Sequence, residues 1–436
     1  GYNDLLPYLV RRLLENGANT SFIHQLNKKD VNIEDLIQSP LNKINKLDLK
    51  EIETPRNLFV DRKNSFGVDL SEEDNIILYS ELDSIEDIVA YNIIEGKDVA
   101  TQSISNIASP YLRLKIIGKA FFADSKIVDF ALENLNAYAS IWKNEDINKR
   151  IEIINNFSNL LELNYLQLVS ACVKEAGKTI PDAIADIREA IDFCRYYAVL
   201  SKDLFREVKL PGPTGEKNLY RFKGKGLSAV ISPWNFPIAI FTGQLVAALI
   251  TGNVVLAKPA EQTSYCAYIV FKLLLKAGLP VRAAALLLGK GEEIGPRLFF
   301  NKQLKNVIFT GSLETAKKIQ EQLAKRKDIL NLIAETGGLN CLIADSSALT
   351  EHVVQDVVNS GFNSAGQRCS ACRILCVEEH VYKQTLKMLK GAIDTLKINN
   401  PEFLSTDLGP VIDSSSKEKI LNHIKSFPHT YQAKHI

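Results

Sequence analysis

Apolar residues follow two different periods along this chain, and the change between them divides it. From about residue 127 to 205 they recur at helical spacing, which predicts long helices at 127–142, 150–163 and 184–205. From residue 227 to 326, short apolar runs alternate with helical patterns. This alternation is typical of a parallel sheet covered by helices on both faces, so we expect an α/β fold. The strands are predicted at 227–232, 253–259, 283–289 and 306–312, and the helices between them at 238–250, 264–278, 292–300 and 314–326.

The segments outside this alternation have a different character. Residues 2–16 form an amphipathic helical pattern that stops at Gly17. Residues 26–70 are rich in Asn, Lys and Asp and read as a linker, and a weak helix start follows at Ser71. Residues 210–226 predict a hairpin arm.

An uncharged stretch from residue 237 to 257 is long enough to suggest a membrane span. Gly243, Gly252 and Asn253 interrupt it, and its end resembles a strand. We therefore interpret it as a buried helix followed by a buried strand, with no membrane span.

Composition excludes several classes of protein. Hydrophobic residues make up 46% of the 436 residues, which is ordinary for a globular protein of more than one domain. Lys plus Arg number 52 and Asp plus Glu number 51, so no overall positive charge favours nucleic acid. Seven cysteines in a long chain do not indicate a disulfide framework, and we expect a cytoplasmic protein.

The segment "FNSAGQRCSACRI" carries the most informative cysteine, Cys369. A helix end and a glycine turn at Gly366 bring this thiol to the entrance of a strand. A thiol nucleophile needs an adjacent base or a lowered pKa. Cys369 and Cys372 also form a Cys-x-x-Cys pair, so a thiol oxidoreductase is an alternative, but the strand pattern would leave Cys372 and Cys376 inert on one face. No second cysteine pair suggests zinc, and we expect no metal.

Two further motifs could supply a base and an oxyanion donor. Glu335 begins the glycine turn "AETGG", 34 residues before the cysteine, and the apolar strand before it predicts a buried approach. A carboxylate placed there can take a proton from water. Asn235 lies between two prolines in "SPWNFP", where its amide can donate to a developing oxyanion. Taken alone, Glu335 fits a solvated turn better than a catalytic role, and Asn235 fits an ordinary turn.

Dinucleotide chemistry is indicated at the ends of two predicted strands. Lys258 and Glu261 follow one strand in "AKPAEQT", where an ammonium and a carboxylate can bind ribose hydroxyls. A carboxylate repels a 2′-phosphate, which favours NAD over NADP. "FTGS" ends another strand and opens a helix at Ser312, which suits a phosphate.

The order of "SPWNFP", "AKPAEQT", "FTGS", "AETGG" and "GQRCS" resembles the aldehyde dehydrogenase superfamily. The resemblance implies a Rossmann-like NAD domain and an α/β catalytic domain. It also implies that Cys369 is the nucleophile, Glu335 activates the hydrolytic water, and Asn235 with the Cys369 N–H holds the oxyanion. The NAD site then comprises Ile231, Ser232, Pro233, Trp234, Lys258, Glu261, Gly291, Gly295, Phe309, Gly311, Ser312, Glu335, Thr336 and Gly337. Phe236, Arg368 and Ser370 are the candidate substrate contacts.

A narrower resemblance is to the bifunctional proline utilisation A proteins, carried by "YLVRRLLENGANTSF", "AGKTIPDAIADIREAIDFCRYYA" and "SAGQRCSA". It implies oxidation of glutamate semialdehyde, in equilibrium with pyrroline-5-carboxylate, to glutamate. Residues 1–25 would be the last helix of a proline dehydrogenase barrel, 26–80 a linker, 81–334 the NAD-binding domain with a helical N-terminal part and flap, and 335–436 an incomplete catalytic domain. The proline-binding remnant would be Tyr8, Arg11, Arg12 and Glu15, which share one helix face.

The chain also departs from this family. We expect a fragment of a longer, homo-oligomeric parent in which FAD belongs only to the full-length protein, because the flavin barrel and the last strands of the catalytic domain are missing. The fragment alone would then be inactive. Two rival hypotheses stay open: a dehydrogenase of another small aldehyde and a scaffold without turnover. Some members of the family carry a separate regulatory module that binds DNA, but nothing basic or helix-turn-helix-like occurs here, so we expect no nucleic acid to bind through this segment.

Overall fold

The computed structural model describes Val10, Ser39 and residues 53–80, 82, 88–112 and 115–431, with only the backbone at 427–431. The chain divides into one unit of Gly1–Leu58 and another of Phe59–Ile436. In the first unit, Pro55–Asn57 form a 3₁₀ helix. The predicted helix at 2–16 lies outside the described residues except for Val10, which is helical. The remainder of the fold described here belongs to the second unit.

Within the described residues of the second unit, strands and helices follow one another in a mixed α/β order. The strands are β1 (Ile88–Ala90), β2 (Asn92–Ile94), β3 (Lys97–Val99), β4 (Ile104–Ala108), β5 (Ile116–Phe121), β6 (Val208–Leu210), β7 (Asn218–Tyr220), β8 (Leu227–Ile231), β9 (Val254–Lys258), β10 (Ala284–Leu286), β11 (Leu304–Gly311), β12 (Asn331–Thr336), β13 (Asn340–Ala344) and β14 (Cys372–Val377). The helices are α1 (Glu73–Ser80), α2 (Ser125–Lys143), α3 (Ile147–Leu163), α4 (Tyr165–Ala176), α5 (Ile180–Leu204), α6 (Ala239–Ile250), α7 (Ser264–Lys276), α8 (Gly291–Phe299), α9 (Leu313–Ala324), α10 (Thr350–Phe362), α11 (Glu379–Asp394) and α12 (Ser414–Tyr431).

The largest sheet has seven strands in the order β12-β11-β8-β9-β10-β2-β3. The strands from β12 to β10 are parallel to one another, and β2 and β3 extend the sheet as an antiparallel hairpin. Counted in chain order, the five parallel strands lie in the sequence 5-4-1-2-3, which is that of a Rossmann fold. The prediction of a Rossmann-like parallel sheet is confirmed.

The core of this sheet lies where the apolar runs predicted it. Every residue of β9 is buried, as expected for a central parallel strand. Helix α6 packs on β8 and β9, and α2 also packs on β9. At the end of α2 the indole Nε1 of Trp142 donates to the Leu249 carbonyl at 3.0 Å. The uncharged stretch 237–257 therefore forms a helix and a strand of a globular core, and none of the described helices is long and apolar enough to cross a bilayer.

The described region before α2 contains strands that the sequence analysis did not predict. It contains β1 to β5, of which β1, β5 and β4 form a separate three-stranded sheet. These strands are too short to show a clear period. The sequence did contain one signal for the β2–β3 hairpin, the pair Glu95–Gly96. These two residues form the hairpin turn, with φ angles of 51° and 73°.

The long helices and the hairpin arm follow the predicted pattern closely. Helices α2, α3 and α5 match the predicted long helices, although α4 between them was not predicted. Strands β6 and β7 form the expected antiparallel arm. Beyond β12, strands β13 and β14 form a parallel pair, and α10 and α11 pack against β14.

A buried carboxylate supports the N-terminus of α7. Glu175 is 1% exposed, and its two oxygens accept hydrogen bonds from Tyr265 N at 2.8 Å and Cys266 N at 2.7 Å. Burial raises the pKa of Glu175 to about 7, although the two backbone donors oppose this shift. The folded protein therefore retains this proton to a higher pH than the unfolded chain does.

We predict that this carboxyl makes stability depend on pH between about 5 and 7. Because its folded pKa is raised, its contribution is complete at low pH and is lost as the pH rises through about 7. Glu175→Gln cannot titrate but retains one acceptor for the helix. The difference in Tm, wild type minus Glu175→Gln, should therefore fall by a few degrees between pH 5 and pH 8. A difference that is independent of pH, measured by calorimetry, would contradict the assignment.

Candidate active site

The parallel sheet has a crevice where its strand order reverses, between β8 and β11. Ligands of open α/β sheets bind at such a point, outside the carboxyl ends of the strands. The chain leaves β8 through the segment Ser232–Pro237 and leaves β11 at Gly311, just before α9. Two of the predicted motifs therefore meet at this edge because of the topology.

A cavity of about 1000 Å³ opens at this point. It brings together nine of the predicted site residues: Pro233, Trp234, Asn235, Gly311, Ser312, Thr336, Gly337, Arg368 and Cys369. Its charged or titratable lining residues within the described part of the chain, apart from the Cys369 thiol, are Arg368, Arg373, Lys419 and His423, with no Asp or Glu. The cavity thus suits a ligand with negative charge.

The loop that carries Cys369 has an unusual backbone. After α10, residues Ser364, Ala365 and Gly366 have φ angles of 54°, 53° and 68°, so three consecutive residues are left-handed. Only glycine adopts this conformation readily. A Cβ on Gly366 would also lie 2.9 Å from the Gly361 carbonyl oxygen. This turn places the Cys369 side chain at the cavity.

Side-chain contacts from a distant helix hold this turn. Asp182, near the start of α5, accepts hydrogen bonds from Ser364 N at 2.8 Å and from Ser364 Oγ at 3.1 Å. It also forms an ion pair with Arg368. Arg373 donates to the Gly366 carbonyl oxygen at 2.7 Å. Contacts from α5 and from β14 therefore both hold the left-handed turn.

The loop after β8 is tied to the same helix. Lys178 Nζ donates to the Asn235 carbonyl oxygen at 2.9 Å and lies 3.3 Å from Asp186 Oδ2. The other oxygen of Asp186 accepts from Ala239 N, at the start of α6, at 2.7 Å. Burial raises the pKa of Asp186, and the Lys178 ammonium opposes that shift.

The two loops are joined directly through Asn235 and Gln367. Asn235 Nδ2 donates to the Gln367 carbonyl oxygen at 2.8 Å, which leaves its second amide hydrogen available. Gln367 also accepts from Ile412 N at 2.9 Å through Oε1. The Asn235 amide, which is predicted to face the substrate, is therefore hydrogen-bonded to a residue two positions before Cys369.

The sequence analysis did not identify Lys178, Asp182 and Asp186 as part of the site. All three are buried. Asp182 and Asp186 lie four residues apart on α5 and share a helix face, and Lys178 lies two residues before the helix begins. A buried helix face that repeats charged residues at this spacing was the available signal, because such charges must find partners.

Glu335 has a different environment from the one predicted. It is exposed and lies near the end of β12, paired with Thr310 of β11. The prediction of a buried approach is wrong, because the residues of β12 are mostly exposed and, within the described part of the chain, this strand is at the sheet edge and pairs only with β11. Thr336 and Gly337, the next two residues, line the cavity.

Lys258 is the last residue of β9 and Glu261 follows it, and neither residue lines the large cavity. Lys258 is buried, which lowers the pKa of its ammonium, and its Nζ lies 3.7 Å from Glu261 Oε2. The same Nζ donates to the Pro259 carbonyl oxygen at 2.9 Å. The Lys258 carbonyl accepts from Ser232 N at 3.2 Å, which connects this pair to the loop after β8. Glu261 lines a second cavity of about 340 Å³.

The remaining predicted residues do not line the large cavity. Phe236 is covered by the Lys178 ammonium at 4.5 Å and the Arg368 guanidinium at 5.7 Å from its ring centroid. Besides Phe236, Lys258, Glu261 and Glu335, the predicted residues that do not line it are Ile231, Ser232, Gly291, Gly295, Phe309 and Ser370. Tyr8, Arg11, Arg12 and Glu15 lie outside the described residues.

Features at this edge of the sheet fit a dinucleotide. The N-terminus of α9 lies at the cavity, and Ser312 caps it by accepting from Thr315 N at 3.1 Å. Helix N-termini attract phosphate through their unpaired N–H groups. Ser232 Oγ is buried and makes no hydrogen bond with the described residues, so it is a candidate polar contact for the dinucleotide.

The described residues include no group of three His, Cys, Asp or Glu side chains placed to bind a metal.

The Cys-x-x-Cys alternative gains little support from the structure. Cys372 is the first residue of β14 rather than part of a helix N-terminus, as the strand pattern predicted. Cys376, on the same face, has its Sγ 3.5 Å from Cys341 Sγ. The arrangement therefore lacks the helix dipole that such redox pairs use.

Comparison with known proteins agrees with this geometry. Residues 98–430 match the model of the aldehyde dehydrogenase family. The bifunctional protein PutA of Salmonella typhimurium is 41% identical over 98% of this chain and 32% of its own length. The 1-pyrroline-5-carboxylate dehydrogenase of Anoxybacillus flavithermus is 35% identical over 76% of this chain and 65% of its own.

A solved structure has the same fold. The 1-pyrroline-5-carboxylate dehydrogenase from Thermus with bound NAD superposes with a TM-score of 0.80 at 29% identity, covering 85% of this chain and 74% of that one. The chain spans about a third of the length of the PutA relatives that it matches. The family match covers most of the chain, and the chain belongs to the aldehyde dehydrogenase family.

Proposed function

We propose that the protein oxidises L-glutamate γ-semialdehyde, which is in equilibrium with pyrroline-5-carboxylate, to glutamate with NAD. The observation that carries this proposal is the cavity at the switch point of the sheet, which unites Cys369, Asn235 and the N-terminus of α9. The names of the relatives, PutA and 1-pyrroline-5-carboxylate dehydrogenase, support the substrate. The cationic lining of the cavity suits the carboxylate of this substrate.

In the first half of the proposed reaction, Cys369 Sγ attacks the aldehyde carbon and forms a thiohemiacetal. The free amide hydrogen of Asn235 and the backbone N–H of Cys369 are the proposed donors to its oxygen, where negative charge develops. Because Asn235 is held by Gln367 and by Lys178, its donor needs little reorganisation. NAD bound at the N-terminus of α9 would supply the hydride acceptor; loss of the hydride from the former aldehyde carbon and of the proton from its oxygen would leave a thioester on the sulfur.

In the second half, Glu335 is the proposed base that removes a proton from water as the water attacks the thioester. Its exposed position on the edge strand gives water access. The C–S bond then breaks, which releases the acid and restores the thiol. The glycine turn after Glu335 leaves room for this side chain to approach the thioester, since a Cβ on Gly337 would meet no described atom within 4 Å.

The proposed NAD contacts follow the layout of the sheet. The N-terminus of α9 would bind the pyrophosphate, and Lys258 and Glu261 would bind the adenosine ribose hydroxyls. We also propose a cytoplasmic location, supported by seven free cysteines. A homo-oligomer is proposed because exposed apolar residues, including Val208 and Tyr220, lie on the β6–β7 arm.

A panel of aldehydes tests the substrate with the full-length protein. We expect kcat/KM for pyrroline-5-carboxylate to exceed that for simple alkyl aldehydes such as propanal by roughly 100-fold, because the cationic cavity favours the carboxylate. NADH absorbance measures the rate. Comparable values for both substrates would favour the alternative of a dehydrogenase for another small aldehyde.

We predict that Cys369→Ala reduces NADH formation by at least roughly 1000-fold, because no covalent intermediate can form. Cys372→Ser is the matched control, since this nearby thiol is placed on β14. The control should retain activity. Activity in Cys369→Ala would disprove the nucleophile, and loss of activity in Cys372→Ser would revive the dithiol alternative.

Glu261→Gln should weaken the preference for NAD. Removing one negative charge from a partly exposed site should lower the ratio of kcat/KM for NAD to that for NADP by about tenfold. Glu321→Gln, a similar neutralisation on the exposed face of α9, should leave the ratio unchanged. An equal ratio in Glu261→Gln and wild type would remove Glu261 from the ribose site.

A further inference from the structure

Asn340 makes two hydrogen bonds to the loop of the cysteine. It is the first residue of β13, and its Nδ2 donates to the Cys369 carbonyl oxygen at 2.7 Å and to the Ala371 carbonyl oxygen at 3.1 Å. Both amide hydrogens are therefore used on carbonyls that lie on either side of Ser370. We propose that Asn340 is a positioning residue that sets the place of the Cys369 thiol relative to Glu335; this inference rests on the proposed function.

A bulge in the strand pair explains why a side chain is needed here. In the register of β13 and β14, Asn340 pairs with Cys372 but Cys341 pairs with Ile374, so Arg373 is left over. The bulge allows Arg373 to turn back to Gly366. In addition, Cys372 N donates to Ser360 Oγ at 3.1 Å. The regular ladder therefore stops short of residues 369–371, and the Asn340 amide supplies their contact with β13.

The hydrogen bonds of Asn340 to the cysteine loop matter because the segment between Asn340 and Glu335 is weakly constrained. Gly337 and Gly338 lie between them, and glycines constrain the backbone least of all residues. Without the Asn340 hydrogen bonds, the turn after Glu335 and the loop of Cys369 could move separately. With them, the base and the nucleophile belong to one hydrogen-bonded unit.

Because the Cys369 loop is open to solvent, loss of the Asn340 amide should disturb the geometry of this loop more than the stability of the fold. The bond to the Cys369 carbonyl is exposed, and Cys369 itself is exposed. Water can therefore satisfy that carbonyl when the amide is removed, and only the partly buried bond to the Ala371 carbonyl adds a cost to stability. Water cannot fix the direction of the loop, so geometry should suffer more than folding.

The test uses the full-length protein with Asn340→Ala, which removes the donors without adding charge. Asn331→Ala is the matched control, because Asn331 on β12 is exposed and its side chain makes no hydrogen bond within the described part of the chain. We expect kcat with pyrroline-5-carboxylate to fall by about 10- to 100-fold in Asn340→Ala, with an unchanged KM for NAD and a Tm within a few degrees of wild type. The control should match wild type.

A second readout does not require dehydrogenase activity. The rate of Cys369 alkylation by iodoacetamide, followed by peptide mass spectrometry over a range of pH, reports the surroundings of the thiol. We expect this pH profile to change in Asn340→Ala and not in Asn331→Ala. If Asn340→Ala does not fold, Asn340→Leu, which keeps the size of the side chain, takes its place.

The two readouts separate failure of this inference from failure of the proposed function. If wild type oxidises pyrroline-5-carboxylate but Asn340→Ala matches it in both kcat and the alkylation profile, the positioning inference is overturned and the function stands. If wild type oxidises no aldehyde yet the alkylation profile changes in Asn340→Ala, the function is overturned and the positioning of Cys369 by Asn340 is supported.

Discussion

The site depends on a backbone that would not hold its shape alone. Ser364, Ala365 and Gly366 are left-handed in succession, and for residues with a Cβ this conformation costs roughly 1–2 kcal/mol each. The hydrogen bonds of Asp182 to Ser364 and its ion pair with Arg368 offset that cost. Since only two residues separate this turn from Cys369, the direction of its thiol depends on a carboxylate nearly two hundred residues earlier in the chain.

The beginning of α5, together with Lys178 just before it, therefore holds two loops in place. Asp182 holds the cysteine loop, and Lys178 with Asp186 holds the loop of Asn235 and the start of α6. Burying such charges is unfavourable unless each finds partners, so removal of one would leave another unpaired. The same contacts that stabilise the two loops also fix the distance between them, and the Asn235–Gln367 hydrogen bond joins them directly.

The two halves of the site differ in how rigidly they are supported. The nucleophile and the amide donor lie on loops fixed by a buried helix, whereas Glu335 lies on the exposed edge strand β12 and precedes two glycines. A group that must meet a water molecule benefits from solvent access, and a group that must attack a carbonyl benefits from a fixed direction. Asn340 provides a connection between these two environments.

The sequence alone determined the parallel α/β sheet, because short apolar runs alternating with helical patterns have few other stable arrangements. It also marked the Cys369 thiol at the entrance of a strand, the Asn235 amide between two prolines and the "FTGS" turn at the end of another strand. It did not reveal the strands before α2, which are too short to show a period, or the exposure of Glu335, which depends on the place of β12 at the sheet edge. Only the tertiary structure decided how Lys178, Asp182 and Asn340 act on the site, because these contacts join residues far apart in sequence, and local pattern carries no information about such pairs.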